Sequence, residues 1–220
     1  MDTTSLSIMP NFSGKTVCGG RIRMVELLGE GTYGVVYSAV DNSEAGSSSS
    51  TASPSFSSSS AVSGSEPTPK QYAVKIMEKA QPNTLLWKYQ QGEISTHLRV
   101  QKHKNIVSVH NVYEDPFFVY IVLEYCAGGT LLEAMIDRLV YAGNDELIRS
   151  VFVQLLDAVQ HCHQRGVYHR DLKPDNVLIN EDGTDIRLAD FGLATTTNVG
   201  KAFGCGSLPY MSPGELRAAY

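Results

Sequence analysis

An α+β chain of two lobes, a small β-rich one followed by a helical one, is the fold class the sequence predicts. Three observations predict it. Alternating runs rich in Val, Ile and Tyr crowd residues 21–41 and 71–78, and two more such runs cover 106–113 and 117–125. The clearest apolar stripe at helical spacing comes only afterwards, at 145–163. Between these halves runs FFVYIVLEYCAGG, nearly continuous apolar sequence that ends in glycines and reads as a connector. At 220 residues and 42% hydrophobic content the chain can fill two small cores, with a cleft expected between them.

Taken in order, residues 1–20 lack periodicity and contain Pro, Gly and Ser, which predicts a loose leader. Gly14-Lys15-Thr16 resembles the end of a phosphate loop, but Met9 stands where G-x-x-x-x-G-K-T needs its first glycine. RMVELLGEGTYGVVYSAV predicts two strands joined by a turn, and QYAVKIM a third strand. Residues 42–69 between them are nearly half Ser and cannot pack a core, so they are expected to be a disordered insertion in a hairpin. Such an insertion is tolerable, since closing a loop costs only about 0.6 kcal/mol more per doubling of its length. A helix is predicted over 83–100, with Leu85, Leu86, Tyr89, Ile94 and Leu98 as its buried face. The helix at 145–163 is capped by Asn144 or Asp145 and carries Leu147, Ile148, Val151, Phe152, Leu155, Leu156 and Val159 on one stripe.

Composition excludes several function classes. Lys and Arg number 18 against 23 Asp and Glu, the net charge is −5, and no basic run tracks a nucleic-acid backbone. Four scattered cysteines without a C-x-x-C pair argue against a disulfide framework or zinc site and fit a reducing compartment. His161-Cys162-His163 ends a helix, where neighbours at i and i+2 do not share a face, so a metal site is not expected there either. There is no signal-peptide core and no run of about 18 apolar residues. The expectation is a soluble intracellular protein, cytoplasmic or nuclear, with neither nucleic acid nor membrane as partner.

The chemistry concentrates in a few motifs. Gly29-Glu30-Gly31-Thr32-Tyr33-Gly34 has the G-x-G-x-x-G spacing that lets backbone approach phosphate oxygens. Val35 and Val36 continue as strand, which selects a strand-turn-strand flap over a dinucleotide fold. Lys75 lies in an otherwise apolar strand, placed to reach phosphates. Glu93 in the following helix is the natural carboxylate to hold it, whereas Glu78 is too close in sequence to lie on a separate packed element. In HRDLKPDNVLI the charged ends of Asp171, Lys173 and Asn176 can converge in one tight loop, and Asp190 follows fourteen residues after Asn176 in LADFGLA. Asn176 and Asp190 offer the hard oxygens magnesium prefers, Asp171 can accept a hydroxyl proton, and Lys173 can neutralise a transferred phosphoryl group.

The ordered set GEGTYGVV, AVK, HRDLKPDN, DFG and YMSP resembles the signature of the eukaryotic protein kinases from about Arg21 to Pro213. The resemblance implies a protein-kinase-like fold with a small lobe and hinge over 21–126, part of a helical lobe over 127–213, and an atypical tail at 214–220. It implies ATP and Mg2+ as cofactors and Ser/Thr hydroxyls of proteins as acceptors, because Lys173 two residues after Asp171 is similar to the serine/threonine class. It also implies that Leu123 is the gatekeeper and that Glu124 and Cys126 are the hinge contacts. Val36, Ala73 and Leu178 are expected beside the nucleotide with the glycine flap and Lys75. DFGLATTT with FGCGS and YMSP is similar to fungal serine/threonine kinases linked to nutrient response and meiosis.

Two departures carry further expectations. Phe203 occupies the position where many relatives place a phosphorylated Thr, so the segment beside Arg170 is expected to work without phosphate, although Thr195, Thr196 and Thr197 remain available. Where the family reads Ser/Ala-Pro-Glu and continues into further helices, this chain reads Pro213-Gly214-Glu215-Leu216 and stops. An incomplete helical lobe of this kind would expose apolar surface on the helix at 145–163. Gly-Glu-Leu can be encoded by GGTGAGTT(A/G), which contains the intron donor GTGAGT, so the last seven residues are expected to be read-through of an intron.

Overall fold

The structure, a computed structural model, describes residues 9–31, 34–42, 69–197, 205–211 and 213. Thr32, Tyr33, most of the Ser-rich insertion, Phe203 and the tail 214–220 lie outside the described residues. The chain divides into two compact units, one of residues 1–78 with 112–125, the other of 79–111 with 126–220.

The first unit is built on a six-stranded sheet of order β1-β2-β3-β4-β6-β5. Its strands are β1 (Thr16–Val17), β2 (Ile22–Gly31), β3 (Gly34–Asp41), β4 (Gln71–Glu78), β5 (Val109–Glu114) and β6 (Phe118–Glu124), antiparallel from β1 through β6 in that order. The hairpin expected across residues 42–69 is closed at its base: Val40 pairs with Gln71, and the Asp41 N–H donates to the Lys70 carbonyl. Alternation decides which side chains fill the core. Val35, Tyr37 and Ala39 of β3, Tyr72, Val74 and Ile76 of β4, and Tyr120 and Val122 of β6 all lie on one face.

For its described part, residues 9–20, that core corrects the reading of residues 1–20 as a loose leader; residues 1–8 lie outside the described residues. Phe12 is 1% exposed, surrounded edge-on by the rings of Tyr37, Phe118 and Tyr120 at 5.1 to 6.4 Å. Its N–H donates to the Tyr37 hydroxyl, Lys15 lies over its other side, and β1 pairs with β2. A single aromatic residue without periodic neighbours leaves no pattern in sequence, yet it packs against rings of the two strands β3 and β6.

The second unit contains α1 (Leu85–Val100), α2 (Leu131–Ile136), α3 (Asp145–Gln164) and the antiparallel pair β7 (Val177–Ile179) and β8 (Ile186–Leu188). Thr84 caps α1, Thr130 and Glu133 form a capping box on α2, and Asn144 caps α3. Among the described residues no helix is long and apolar enough to cross a membrane. The unit's core gathers Val100, Ile106, Leu131, Val151, Ala158, Cys162, Val177, Ile179, Ile186, Leu188 and Phe191. Although it precedes β5, α1 belongs to this unit rather than to the β-rich one: the His97 ring lies 4.7 Å from Phe191, and its Nε2 bonds the Val107 carbonyl.

The predicted buried face of α1 is overturned. Leu85, Leu86, Tyr89 and Leu98 are exposed and Ile94 is half-buried, while Gln90, Glu93, Thr96, His97 and Val100 are buried. The spacing is helical either way. The inward face is polar because each group finds a partner: Gln90 Oε1 accepts the Ala80 N–H, and Thr96 Oγ1 donates to the helix's own carbonyls. Leu86→Gln is therefore expected to change stability by no more than about 0.5 kcal/mol. Gln90→Leu, which orphans a buried N–H, should cost about 1–3 kcal/mol in chemical denaturation. The reverse ranking would restore the apolar-face reading.

On α3 the predicted stripe divides. Val151 is buried and Leu147, Leu155 and Val159 pack on the core, but Ile148, Phe152 and Leu156 are exposed.

Candidate active site

The first unit brings several predicted nucleotide residues onto one sheet face. Opposite the core side, Val36 pairs with Lys75, Ala73 with Leu123, and Lys75 with Ile121. The pleat puts Val36, Ala73, Lys75 and Leu123 on the same side, with Glu124 at the end of β6 beside Tyr72. Gly29, Glu30 and Gly31 are exposed along the end of β2, and Gly31 pairs with Gly34 to close the flap. Gly34 is required by contact: a Cβ there would run into the Ile76 carbonyl oxygen. The flap can thus lie low over β4 only with glycine at this position.

In the second unit the loop 169–176 converges on one carboxylate. Asp171 Oδ2 is 3.0 Å from Lys173 Nζ and accepts from Asn176 Nδ2 at 3.0 Å. Its Oδ1 accepts the Ser207 N–H at 2.9 Å. Lys173 also donates to Ser207 Oγ at 2.7 Å, and Asn176 Nδ2 to the Asp171 carbonyl at 2.8 Å. Burial pushes the Asp171 carboxyl up, but the Lys173 ammonium, the Ser207 N–H and the Asn176 amide together outweigh it and hold the group below its ordinary value.

A carboxyl held low in the folded state contributes stability that is full above its unfolded value and is lost as pH falls through the folded one. Lys173→Met removes the ammonium's hydrogen bond and charge and leaves burial opposed only by the Ser207 N–H and the Asn176 amide, so the Asp171 midpoint should move up in a carboxyl-carbon NMR titration. A midpoint that stays low would assign the depression to other groups.

Asn176 and Asp190 are brought together by backbone. Val177 pairs with Leu188, and the Ala189 N–H donates to the Asn176 carbonyl. With its amide nitrogen turned to Asp171, Asn176 keeps Oδ1 as an acceptor to which no described residue donates. Glu93 is buried, and its Oε2, like Asp190 Oδ1, lies within 3.4 Å of where a Cβ of Gly192 would sit. Leu178 is half-buried on the side of β7 away from the core and bridges to Thr130, and Cys126 is half-buried. Lys75 and Glu93 belong to different units.

The sequence reading missed several supports. Ser207 reaches Asp171 because Gly206, at φ 114°, passes so close to the Arg170 carbonyl that a Cβ would sit 2.8 Å away. The glycine between Cys205 and Ser207 was the available signal. Phe191 is fully buried between His97 and His169, the latter ring 5.0 Å away. His169 is held below the usual histidine range by burial; its Nε2 donates to the Ala189 carbonyl and its Nδ1 accepts the Asp171 N–H. Arg170 takes φ 66° and donates from Nε to the Leu193 carbonyl.

The protein kinase domain family matches residues 57–220. The chain belongs to this family. As a kinase-family chain it is 41% identical over 197 residues to the negative regulator of sexual conjugation and meiosis of Schizosaccharomyces pombe, covering 90% of this chain and 37% of that protein. It is 38% identical over 151 residues to the serine/threonine-protein kinase ksp1 of the same organism, covering 66% and 31%. Against the serine/threonine-protein kinase VHS1 of Saccharomyces cerevisiae the identity is 39% over 125 residues, covering 56% and 27%. The chain thus spans about a third of the length of these relatives. The fungal serine/threonine likeness read from DFGLATTT, FGCGS and YMSP agrees with these matches.

Proposed function

We propose that this chain carries the machinery for transferring the γ-phosphoryl group of ATP to serine or threonine hydroxyls of proteins. The observation that carries the reading is the Asp171 carboxylate, ionised and aimed by Lys173, Asn176 and the Ser207 N–H. In the proposed step the acceptor oxygen bonds to the γ-phosphorus, the bond from that phosphorus to the ADP oxygen breaks, and the hydroxyl proton passes to Asp171. A carboxylate of depressed pKa is a weak base, so Asp171 orients the hydroxyl first and takes its proton late, as suits a loose, metaphosphate-like transition state. Lys173 offsets the negative charge of the transferred group.

Lys75 is assigned to the nucleotide phosphates with Glu93 as its anchor, and Gly29 through Gly34, Val36, Ala73, Leu123, Glu124, Cys126 and Leu178 to the nucleotide. Asn176 Oδ1 and the Asp190 carboxylate fit magnesium, which usually takes one or two protein oxygens and completes its shell with water and phosphate. When bound, the ion neutralises charge on the phosphates. No cluster of three His, Cys, Asp or Glu side chains suited to a metal occurs among the described residues, and a kinase-type magnesium site needs none. Protein Ser/Thr acceptors and cytoplasmic or nuclear residence belong to the same proposal.

A second reading, a chain that binds nucleotide or a partner without transferring phosphate, draws on the exposed Ile148, Phe152 and Leu156 of α3. Thermal melts with and without magnesium-ATP test the nucleotide binding that phosphoryl transfer requires. Nucleotide at 100 times its Kd should add about 2.7 kcal/mol to a chain that binds it. A cooperative transition with no shift would rule out the first reading and leave only partner binding of the second.

A further inference from the structure

One close imidazole pair has no part in the proposed chemistry. His103, in the loop after α1, and His161, in the last turn of α3, lie with ring centroids 4.5 Å apart and planes tilted 44° to each other, both half-buried. Their partners fix their tautomers. His161 Nε2 is 3.1 Å from the Val100 carbonyl, which can only accept, so Nε2 carries the proton. Its Nδ1 is 3.2 Å from an Arg165 guanidinium nitrogen, which can only donate, so Nδ1 accepts. His103 Nδ1 accepts the Asn105 N–H at 3.2 Å.

Both rings are therefore held neutral, and a second proton on either must displace a hydrogen bond. Charging the pair also sets two cations with ring centroids 4.5 Å apart. Lys104 from the loop and Arg165 beyond the end of α3 add to that repulsion, and Asp157 of α3 is the acidic group that opposes it. Burial first holds both histidines below their ordinary 6.5; Lys104 and Arg165 add to it at His103 and Arg165 and His103 at His161, while Asp157 pulls His103 and the Val100 carbonyl pulls His161 the other way.

The hydrogen bond at stake leads toward the site. Asn105 is 1% exposed; its Nδ2 donates to Gln154 Oε1 at 2.8 Å and to the Ile186 carbonyl at 3.0 Å, and its carbonyl accepts the Leu188 N–H at 2.8 Å. Val107 N–H donates to the Leu188 carbonyl, two residues before Asp190. We propose that the His103–His161 pair is a proton-operated clamp, closed while both rings are neutral and opened by proton uptake, that ties the loop after α1 to α3 and, through Asn105, to β8 ahead of Asp190. It stands independently of phosphoryl transfer.

The test is NMR-detected amide exchange of the full 220-residue chain. Protection at Asn105, Val107 and Leu188, corrected for intrinsic exchange, is expected to fall below about pH 6.5, by about tenfold per pH unit for each proton taken up on opening. His103→Asn with His161→Gln keeps an acceptor for Asn105 and a donor and acceptor for Val100 and Arg165 but cannot titrate, so its profile should be flat. The same fall in this variant would overturn the proposal. Should the variant not fold, ring titration of the unsubstituted chain decides. Midpoints below 6.5 that coincide with loss of Asn105 protection support the clamp, and ordinary midpoints with an undisturbed Asn105 amide overturn it.

Discussion

Asp171→Asn should lower phosphotransfer turnover by about 10²- to 10⁴-fold, the range a positioned proton acceptor contributes, while leaving stabilisation by magnesium-ATP nearly intact. The substitution keeps an oxygen for the Ser207 N–H but loses the charge opposite Lys173 and the capacity to take a proton. Because the group is assigned to the transition state rather than to nucleotide binding, the loss should fall on kcat with KM for ATP unchanged. Equal turnover would remove Asp171 from the chemistry. A matching collapse of ATP binding would show instead that the variant had disturbed the loop.

Phe12→Ala is expected to destabilise the chain by about 3–5 kcal/mol, the cost of emptying a fully buried aromatic site. Three aromatic rings and Lys15 surround that side chain, so the cavity has little means of collapsing. Denaturant unfolding checks it, with Leu86→Gln on α1 as the matched surface control. A cost near zero at Phe12 would return residues 9–20 to the status of a leader.

The two cases show what was legible in the sequence and what was not. Strands β2, β3, β4 and β6 and helix α3 were readable because periodicity and caps repeat over many residues, so each prediction averaged several signals. The loop from His169 to Asn176 was readable because its charges stand close together and next to strand sequence. Phe12 was not, since one residue carries no period. The buried side of α1 was misread for a different reason. Its apolar residues recur at roughly helical spacing, but hydrogen bonds to Ala80 and Val107 and the ring of Phe191 make a polar face the inner one. Those partners lie at distances in sequence that local pattern cannot see. Ser207 sits between: the glycine beside it was a signal of close approach, but its partner, Asp171, is brought near only by the fold.

The measurement that bears most directly on the central claim is transfer of label from γ-labelled ATP to a mixed protein acceptor in magnesium, followed by phosphoamino-acid analysis. The account predicts phosphoserine or phosphothreonine that disappears without magnesium and in Asp171→Asn. A preparation that melts cooperatively, is stabilised by magnesium-ATP and still transfers no phosphate would contradict it.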